Sequence, residues 1–404
     1  MKFVSIFFLI LGLLSTKLSS AIEGSFVKAY YDQNRTFYVT GFAEGEWIET
    51  SNFQIFLFKE AAQTCQINSN QIKKKFFSLN KKFWQMLNQY YPKAEEEFLE
   101  LRLQISIDHF DPQKTNPELG AFFLPGQPKP DEDLIVLDCR YFHEDYWKAL
   151  LAHEIIHALL SSKNSSSWAE ELLAQNVEYE ISRQWPSLRM NTLAKQVLVP
   201  SPITAERPFL SPARYASNFL LGQYLLKRWG GLSTLRALLP QVPVPECPTD
   251  FTDTSVLCRI RQFLIQMQST PELQERSTVP GILRHFALAL VLNKSYNGSQ
   301  DLYSIPDWQG FSSTPLSNES TINLNKINLE KGAFLRLHPK LWQQYQTQWN
   351  PQLETYRIIS YKDGSYQIRT RDQIQNPLTQ KAIKDTVILL NVSSESPLLI
   401  FQTR

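Results

Sequence analysis

The residues best suited to chemistry are two histidines and a glutamate inside an apolar run from Ala149 to Leu160. On a helix with about 100° per residue, His153, Glu154 and His157 fall within one arc of roughly 100°. The rest of the run is Leu, Ile and Ala, and a helix that is apolar on all sides is typical of a protein interior. Buried titratable side chains cost several kcal/mol unless they find partners. Zinc would be such a partner, because histidines at i and i+4 bind it and the intervening glutamate polarises a water.

The alternative to a metal site is a chance occurrence of His-Glu-x-x-His on a structural helix. The chain has only six histidines among its 404 residues. A random match is therefore expected in about one of a few hundred such chains. The motif favours binding of Zn²⁺ by His153 and His157.

Two histidines leave the zinc short of one protein ligand, and the next predicted helix, Trp168–Tyr179, carries candidate carboxylates. They are Glu170, Glu171 and Glu178, of which Glu171 and Glu178 share one face at helical spacing. We favour Glu171 as the ligand, with Glu170 second. In the alternative interpretation, Glu170 and Glu171 form a solvated helix start that complements the helix dipole.

The His-Glu-x-x-His motif, followed by the Trp-Ala-Glu-Glu segment that starts at Trp168, resembles the gluzincin metallopeptidases. This branch of the zincins includes thermolysin and the aminopeptidase-N family, and the resemblance covers about residues 50–240. It implies a zincin-like catalytic domain in which an edge strand lines the substrate cleft. It also implies the zinc ligands His153, His157 and Glu171, with Glu154 as general base.

More distant gluzincins often carry a tyrosine in a helix that ends in glycine, and Tyr215 in the helical run before Gly230 is similar. The resemblance implies that Tyr215 stabilises the oxyanion of the reaction, although a packing role fits equally well and Tyr224 is a weaker alternative. Leu172 stands where the aminopeptidases usually have glycine. Their Gly-x-Met-Glu-Asn segment, which recognises a free amino terminus, has no counterpart before His153. The missing segment favours an endopeptidase over an aminopeptidase, while Leu172 leaves the choice between Glu170 and Glu171 open.

The start of the chain has the pattern of a secretory signal peptide. A lysine is followed by an apolar run from Phe3 to Leu14 and by small residues up to Ala21, after which cleavage is expected. No later stretch reaches 18 uninterrupted apolar residues, so we predict no stable membrane insertion. The net charge of +2 gives no electrostatic case for a nucleic-acid partner.

Four cysteines in an exported chain favour two disulfides. Cys247 and Cys258 enclose a short loop and are expected to pair. Cys65 and Cys139 pair by elimination. An oxidising compartment agrees with the signal peptide, so the sequence predicts a secreted or periplasmic protein.

The remaining patterns predict an α+β fold with a zincin-like catalytic domain, a mixed sheet and a helical lobe. Before the motif we predict strands, one amphipathic helix, a half-buried strand and a hairpin. Their ranges are Phe26–Tyr31, Thr36–Phe42 and Phe53–Phe58 for the strands, Asn70–Tyr91 for the helix, Leu101–Asp108 for the half-buried strand, and Ala121–Leu124 with Leu134–Leu137 for the hairpin.

The domain prediction has five parts. A hairpin signal around Lys362-Asp363-Gly364 places a small β-domain at the end of the chain. The parts are the signal peptide 1–21, an N-terminal strand region 22–49, a gluzincin-like catalytic domain 50–245, a helical extension and linker 246–320, and a C-terminal β-domain 321–404.

The sequence therefore predicts an exported zinc-dependent peptidase that acts on protein or peptide substrates, in an oligomeric state that the sequence leaves open. One alternative is a binding or scaffold protein that keeps the fold with little or no hydrolysis, and Leu172 is its main support. Another is a zinc hydrolase of a non-peptide amide.

Overall fold

The computed structural model describes most of the chain from residue 22 onward. The described residues are 22–31, 37–50, 52–79, 81–111, 120–127, 129, 132–161, 167–203, 211–228, 231–239, 242, 244, 247, 253–266, 278–292, 305, 307–312, 315, 327–345, 353–363, 365–376, 378, 381–392 and 398–399. The predicted signal peptide 1–21 and most of the predicted linker after residue 292 lie outside them. The chain divides into two compact units, residues 1–88 with 92–159 and residues 89–91 with 160–404.

A six-stranded sheet in the order β1-β2-β3-β4-β6-β5 organises the first unit. β3, β4 and β6 run parallel to one another, and the other neighbours pair antiparallel, so the sheet is mixed. The predicted hairpin before the motif is confirmed as β5 and β6. The strands are β1 Ile22–Tyr31, β2 Phe37–Glu49, β3 Gln54–Phe58, β4 Leu103–Asp108, β5 Ala121–Leu124 and β6 Asp133–Asp138.

The prediction that β4 is half-buried is wrong. Ser106 and Asp108, on the face expected to be polar and solvated, are only 1% and 2% exposed. β4 lies inside the sheet between two parallel strands. Parallel strands are usually covered on both faces, so the alternation of polar residues along β4 does not indicate a solvent-exposed face.

The helix predicted over residues 70–91 is interrupted. An Asn68–Gln71 capping box starts α2, Ser69–Phe77, and α3 spans Lys81–Tyr90. α2 ends at Ser78, whose hydroxyl donates to the Lys75 carbonyl and whose N–H donates to the carbonyls of Lys74 and Lys75. A serine side chain that bonds the main chain in this way competes with continuation of the helix. The shorter helices α1 Lys59–Thr64 and α4 Ala94–Glu100 were not predicted.

Two devices anchor the start of the motif helix α5, Trp147–Ser161. A 3₁₀ turn at Cys139–His143 precedes it, and the predicted Cys65–Cys139 disulfide ties this turn to the end of α1. The fully buried Trp147 ring packs 5.0 Å from Phe76 and 5.2 Å from Phe142, measured between ring centroids. The first turn of α5 is therefore fixed by a nearby disulfide and by contacts between aromatic rings.

The second unit combines helices with a five-stranded sheet in the order β11-β10-β12-β9-β7 and a β13-β8 pair. The predicted Cys247–Cys258 disulfide is confirmed. Its helices are α6 Ser167–Ser182, α7 Ser187–Ala194, α8 Pro212–Arg228, α9 Leu232–Arg236, α10 Asp253–Gln266, α11 Val279–Leu292 and α12 Pro339–Tyr345; its strands are β7 Leu198–Val199, β8 Ile327–Asn328, β9 Phe334–Leu337, β10 Glu354–Tyr361, β11 Tyr366–Thr370, β12 Ala382–Leu390 and β13 Leu398–Leu399.

The C-terminal hairpin β10–β11 forms as predicted, but the sheet extends beyond residues 321–404. Its edge strand β7 comes from residues 198 and 199, and the Arg336 N–H donates to the Val197 carbonyl at 3.0 Å. The mixed α+β class is confirmed, while the domain boundaries remain a prediction. None of the helices in the described part of the chain is long and apolar enough to cross a membrane.

An ion pair between the partly exposed Lys28 and the buried Asp108 joins β1 to the end of β4. Lys28 Nζ lies 3.2 Å from Asp108 Oδ1 and 2.6 Å from Glu60 Oε2. Burial raises the pKa of the Asp108 carboxyl to about 6, because Lys28 and the His109 N–H only partly offset the loss of water.

We expect Asp108 to make stability fall with rising pH between about 4 and 6. In that range the folded protein holds the Asp108 proton while the unfolded chain, with its ordinary pKa near 3.9, has released it. The contribution amounts to no more than about 3 kcal/mol. Urea unfolding of wild type and Asp108→Asn across pH 4–7 measures it. Equal pH slopes in the two proteins would contradict the assignment.

Candidate metal centre

The motif helix α5 is buried nearly all round, as its composition predicts. Ile155 and Ala158 are fully buried, and many of the other apolar residues of the helix are as well. His153 is 9% exposed and Glu154 is 6% exposed, while His157 is half-buried. Three titratable side chains therefore lie in or next to a low-dielectric interior, where charges interact strongly.

The two histidine rings face each other through the nitrogens that a metal would use. His153 Nε2 and His157 Nε2 are 3.2 Å apart. Two ligands of a tetrahedral zinc at 2.0–2.1 Å are separated by about 3.4 Å, so the spacing fits a shared ion. The same distance also suits a hydrogen bond from an Nε2–H of one ring to the lone pair of the other Nε2, and the tautomers of the two rings decide which one donates.

Glu171 on α6 completes a group of three. It is fully buried, and ligand atoms of His153, His157 and Glu171 all lie within 4.8 Å of one another. Glu170 is half-buried and Glu178 is 8% exposed, and neither belongs to this group. Two imidazole nitrogens and one carboxylate oxygen are a donor set of catalytic zinc sites, so the residues present fit Zn²⁺.

A buried asparagine holds the turn of α6 that carries Glu171. Asn218 Nδ2 donates to the Trp168 carbonyl at 2.8 Å, and Gln175 Nε2 donates to Asn218 Oδ1 at 3.2 Å. Trp168 and Gln175 lie three residues before and four residues after Glu171. Asn218 on α8 therefore braces α6 on both sides of the glutamate. It also donates to the Pro202 carbonyl at 2.9 Å.

A second amide pair continues this brace. Asn176 Nδ2 donates to the Leu172 carbonyl, and Gln223 Nε2 donates to Asn176 Oδ1, both at 2.7 Å. Gly222 permits the close approach, since a Cβ there would lie 2.1 Å from Asn176 Nδ2. The sequence patterns did not predict this network. The available signal was polar amides inside two helical runs that are otherwise largely apolar.

Tyr215 and Tyr224 lie on α8 in different surroundings. Tyr215 is half-buried, with the Arg189 Cζ atom 4.8 Å from its ring centroid. Tyr224 is fully buried, and its ring centroid lies 5.8 Å from that of Phe286, which suits a packing role. Neither tyrosine belongs to the three-residue group.

Comparison with known proteins finds no match among family models and none among curated protein sequences.

We expect Glu171→Gln to weaken zinc binding by more than about 100-fold. Losing a residue that only hydrogen-bonds a metal ligand already weakens binding by up to about 100-fold, and Glu171 would contact the metal itself. Gln is nearly isosteric with Glu but lacks the charge that a cation attracts. Glu170→Gln is the matched control and should bind zinc within about 2-fold of wild type. Competition with a chromophoric chelator measures both affinities. Equal affinities in the two variants would rule out Glu171 as the ligand.

We expect Gly222→Ala to destabilise the protein by about 1–3 kcal/mol, because the new methyl group overlaps an amide held at both ends. Denaturant unfolding measures the loss. The double variant with Asn176→Ala removes the overlap and should lose less than the sum of the two single variants. If the losses of unfolding free energy in the two single variants simply add, the contact between position 222 and Asn176 does not limit the packing of α6 on α8.

Proposed function

We propose that the protein is an exported zinc-dependent peptidase. The observation that carries the proposal is the group His153, His157 and Glu171, with Glu154 directly after the first histidine on the same buried helix. Two disulfides and the lack of a membrane-spanning helix among the described residues are compatible with a secreted or periplasmic location.

In this proposal His153, His157 and Glu171 hold the ion. Zinc bound there would polarise the scissile carbonyl and lower the pKa of water. Glu154 accepts one proton from the attacking water while the water oxygen bonds to the carbonyl carbon. When the C–N bond breaks, Glu154 delivers that proton to the leaving amine, so the carboxylate is regenerated.

Tyr215 is the candidate donor to the oxyanion that forms on the carbonyl oxygen. A phenol hydroxyl can donate one hydrogen bond to that oxygen, and such donors contribute most when they are oriented before the reaction. Removing a donor of this kind typically lowers kcat about 100- to 1,000-fold.

The proposed substrate is an extended peptide. β5 forms the outer edge of the described six-stranded sheet, pairing only with β6 there. The outward-facing main-chain groups of an edge strand can pair with an added strand and align a peptide without reading its termini. Together with the lack of an amino-terminus recognition segment, this supports an endopeptidase.

The decisive experiment measures zinc content and peptide cleavage in wild type and in Glu154→Gln. We expect about one zinc per chain in both proteins, and a kcat that is about 100- to 10,000-fold lower in the variant, because only the proton acceptor is lost. Glu170→Gln is the matched control and should cleave like wild type.

Three other results would change the assignment. Undiminished cleavage by Glu154→Gln would overturn the mechanism. Zinc without cleavage by any of the proteins would favour the scaffold interpretation. Hydrolysis of non-peptide amides but not of peptides would make the protein a different zinc hydrolase.

A further inference from the structure

Arg189 on α7 contacts side chains from two other helices. Its Nη1 donates a hydrogen bond to Gln175 Oε1 on α6 at 3.3 Å. Its guanidinium lies over the ring of Tyr215 on α8, with 4.8 Å from Cζ to the ring centroid. A guanidinium in this position is attracted by the electron-rich face of the ring.

Both contacts lead back to the turn of α6 that carries Glu171. Gln175 follows Glu171 by one helical turn, so the two side chains share a face of α6. Gln175 also donates to Asn218, which lies three residues after Tyr215 on α8 and bonds the Trp168 carbonyl. The ring of Tyr215 is therefore linked to this turn by Arg189 and, through the backbone of α8, by Asn218.

We propose that Arg189 is a positioning residue that holds the ring of Tyr215 in one orientation relative to the Glu171 turn of α6. Its role in the reaction rests on the proposed peptidase function, in which the Tyr215 hydroxyl donates to the oxyanion. A small misplacement of such a donor costs much of its effect, because the hydrogen bond must be formed before the charge develops.

The geometry asks for arginine rather than lysine. The planar guanidinium can lie flat against the Tyr215 ring while one of its N–H groups still donates sideways to Gln175. A lysine ammonium keeps the charge but has no plane to stack. Arg189→Lys should therefore preserve only part of the orientation.

The orientation of the ring can be measured without any activity. We would incorporate 3-fluorotyrosine at position 215 and record its ¹⁹F resonance in the metal-free and zinc-loaded protein. Arg189→Met should move or broaden the resonance by more than its native linewidth, and Arg189→Lys should have a smaller effect. Arg183→Met removes an exposed arginine that pairs with Glu180, and it should leave the resonance unchanged. An unchanged resonance in Arg189→Met would overturn the proposal.

Kinetics of the zinc-loaded protein separate positioning from general destabilisation. Arg189→Met should lower kcat about 10- to 100-fold, with KM within about 2-fold, because it disturbs a group used only in the transition state. In a Tyr215→Phe background the same substitution should lower kcat less than about 2-fold, since the hydroxyl is already absent. An equal loss in both backgrounds would overturn the positioning role.

The two proposals can fail separately. If the zinc-loaded wild type cleaves no peptide, the peptidase proposal fails. The ¹⁹F resonance then decides the role of Arg189 alone: a displaced resonance in Arg189→Met supports it, and an unchanged one overturns it.

Discussion

The main physical constraint on this structure is the free-energy cost of burying carboxylates. Glu171 is fully buried, and Glu154 is almost so, on helices lined by aliphatic residues. Removing a carboxylate from water costs several kcal/mol unless positive charge or hydrogen bonds replace the water. A cation shared by Glu171, His153 and His157 would neutralise part of this charge. Metal binding and the integrity of this region are therefore expected to be coupled.

The helices around Glu171 are joined by amides where an ordinary core would use apolar contacts. Gln175, Asn176, Asn218 and Gln223 are each at most 4% exposed and bond to one another or to main-chain carbonyls. Hydrogen bonds in a low-dielectric interior are directional and costly to break, so they specify one alignment of α6 on α8. Apolar packing alone tolerates small shifts, which a metal ligand with fixed bond lengths does not. Arg189 extends the same restraint to Tyr215.

Much of the local structure could be predicted from the sequence, and each miss has a physical cause. The hairpin before the motif and both disulfides were predicted correctly. The interruption at Ser78 was not, because apolar periodicity continues across it and hides a serine that ends the helix. The burial of Ser106 and Asp108 was also missed, since it follows from the position of β4 between parallel strands. Periodicity reports one helix or strand, and it does not report the neighbours on either side.

The sequence by itself determined the parts of the candidate site that lie within one helix. Four residues of an α-helix make little more than one turn, so His153 and His157 must share a face wherever the helix lies. Only the tertiary structure shows that a carboxylate oxygen of Glu171, rather than of Glu170, lies within 4.8 Å of their ring nitrogens, and that Arg189 lies over Tyr215. These relations depend on how helices pack, and packing is set by many weak contacts between residues far apart in the chain. Spacing along a helix is a property of the backbone, whereas the meeting of helices is a property of the whole core.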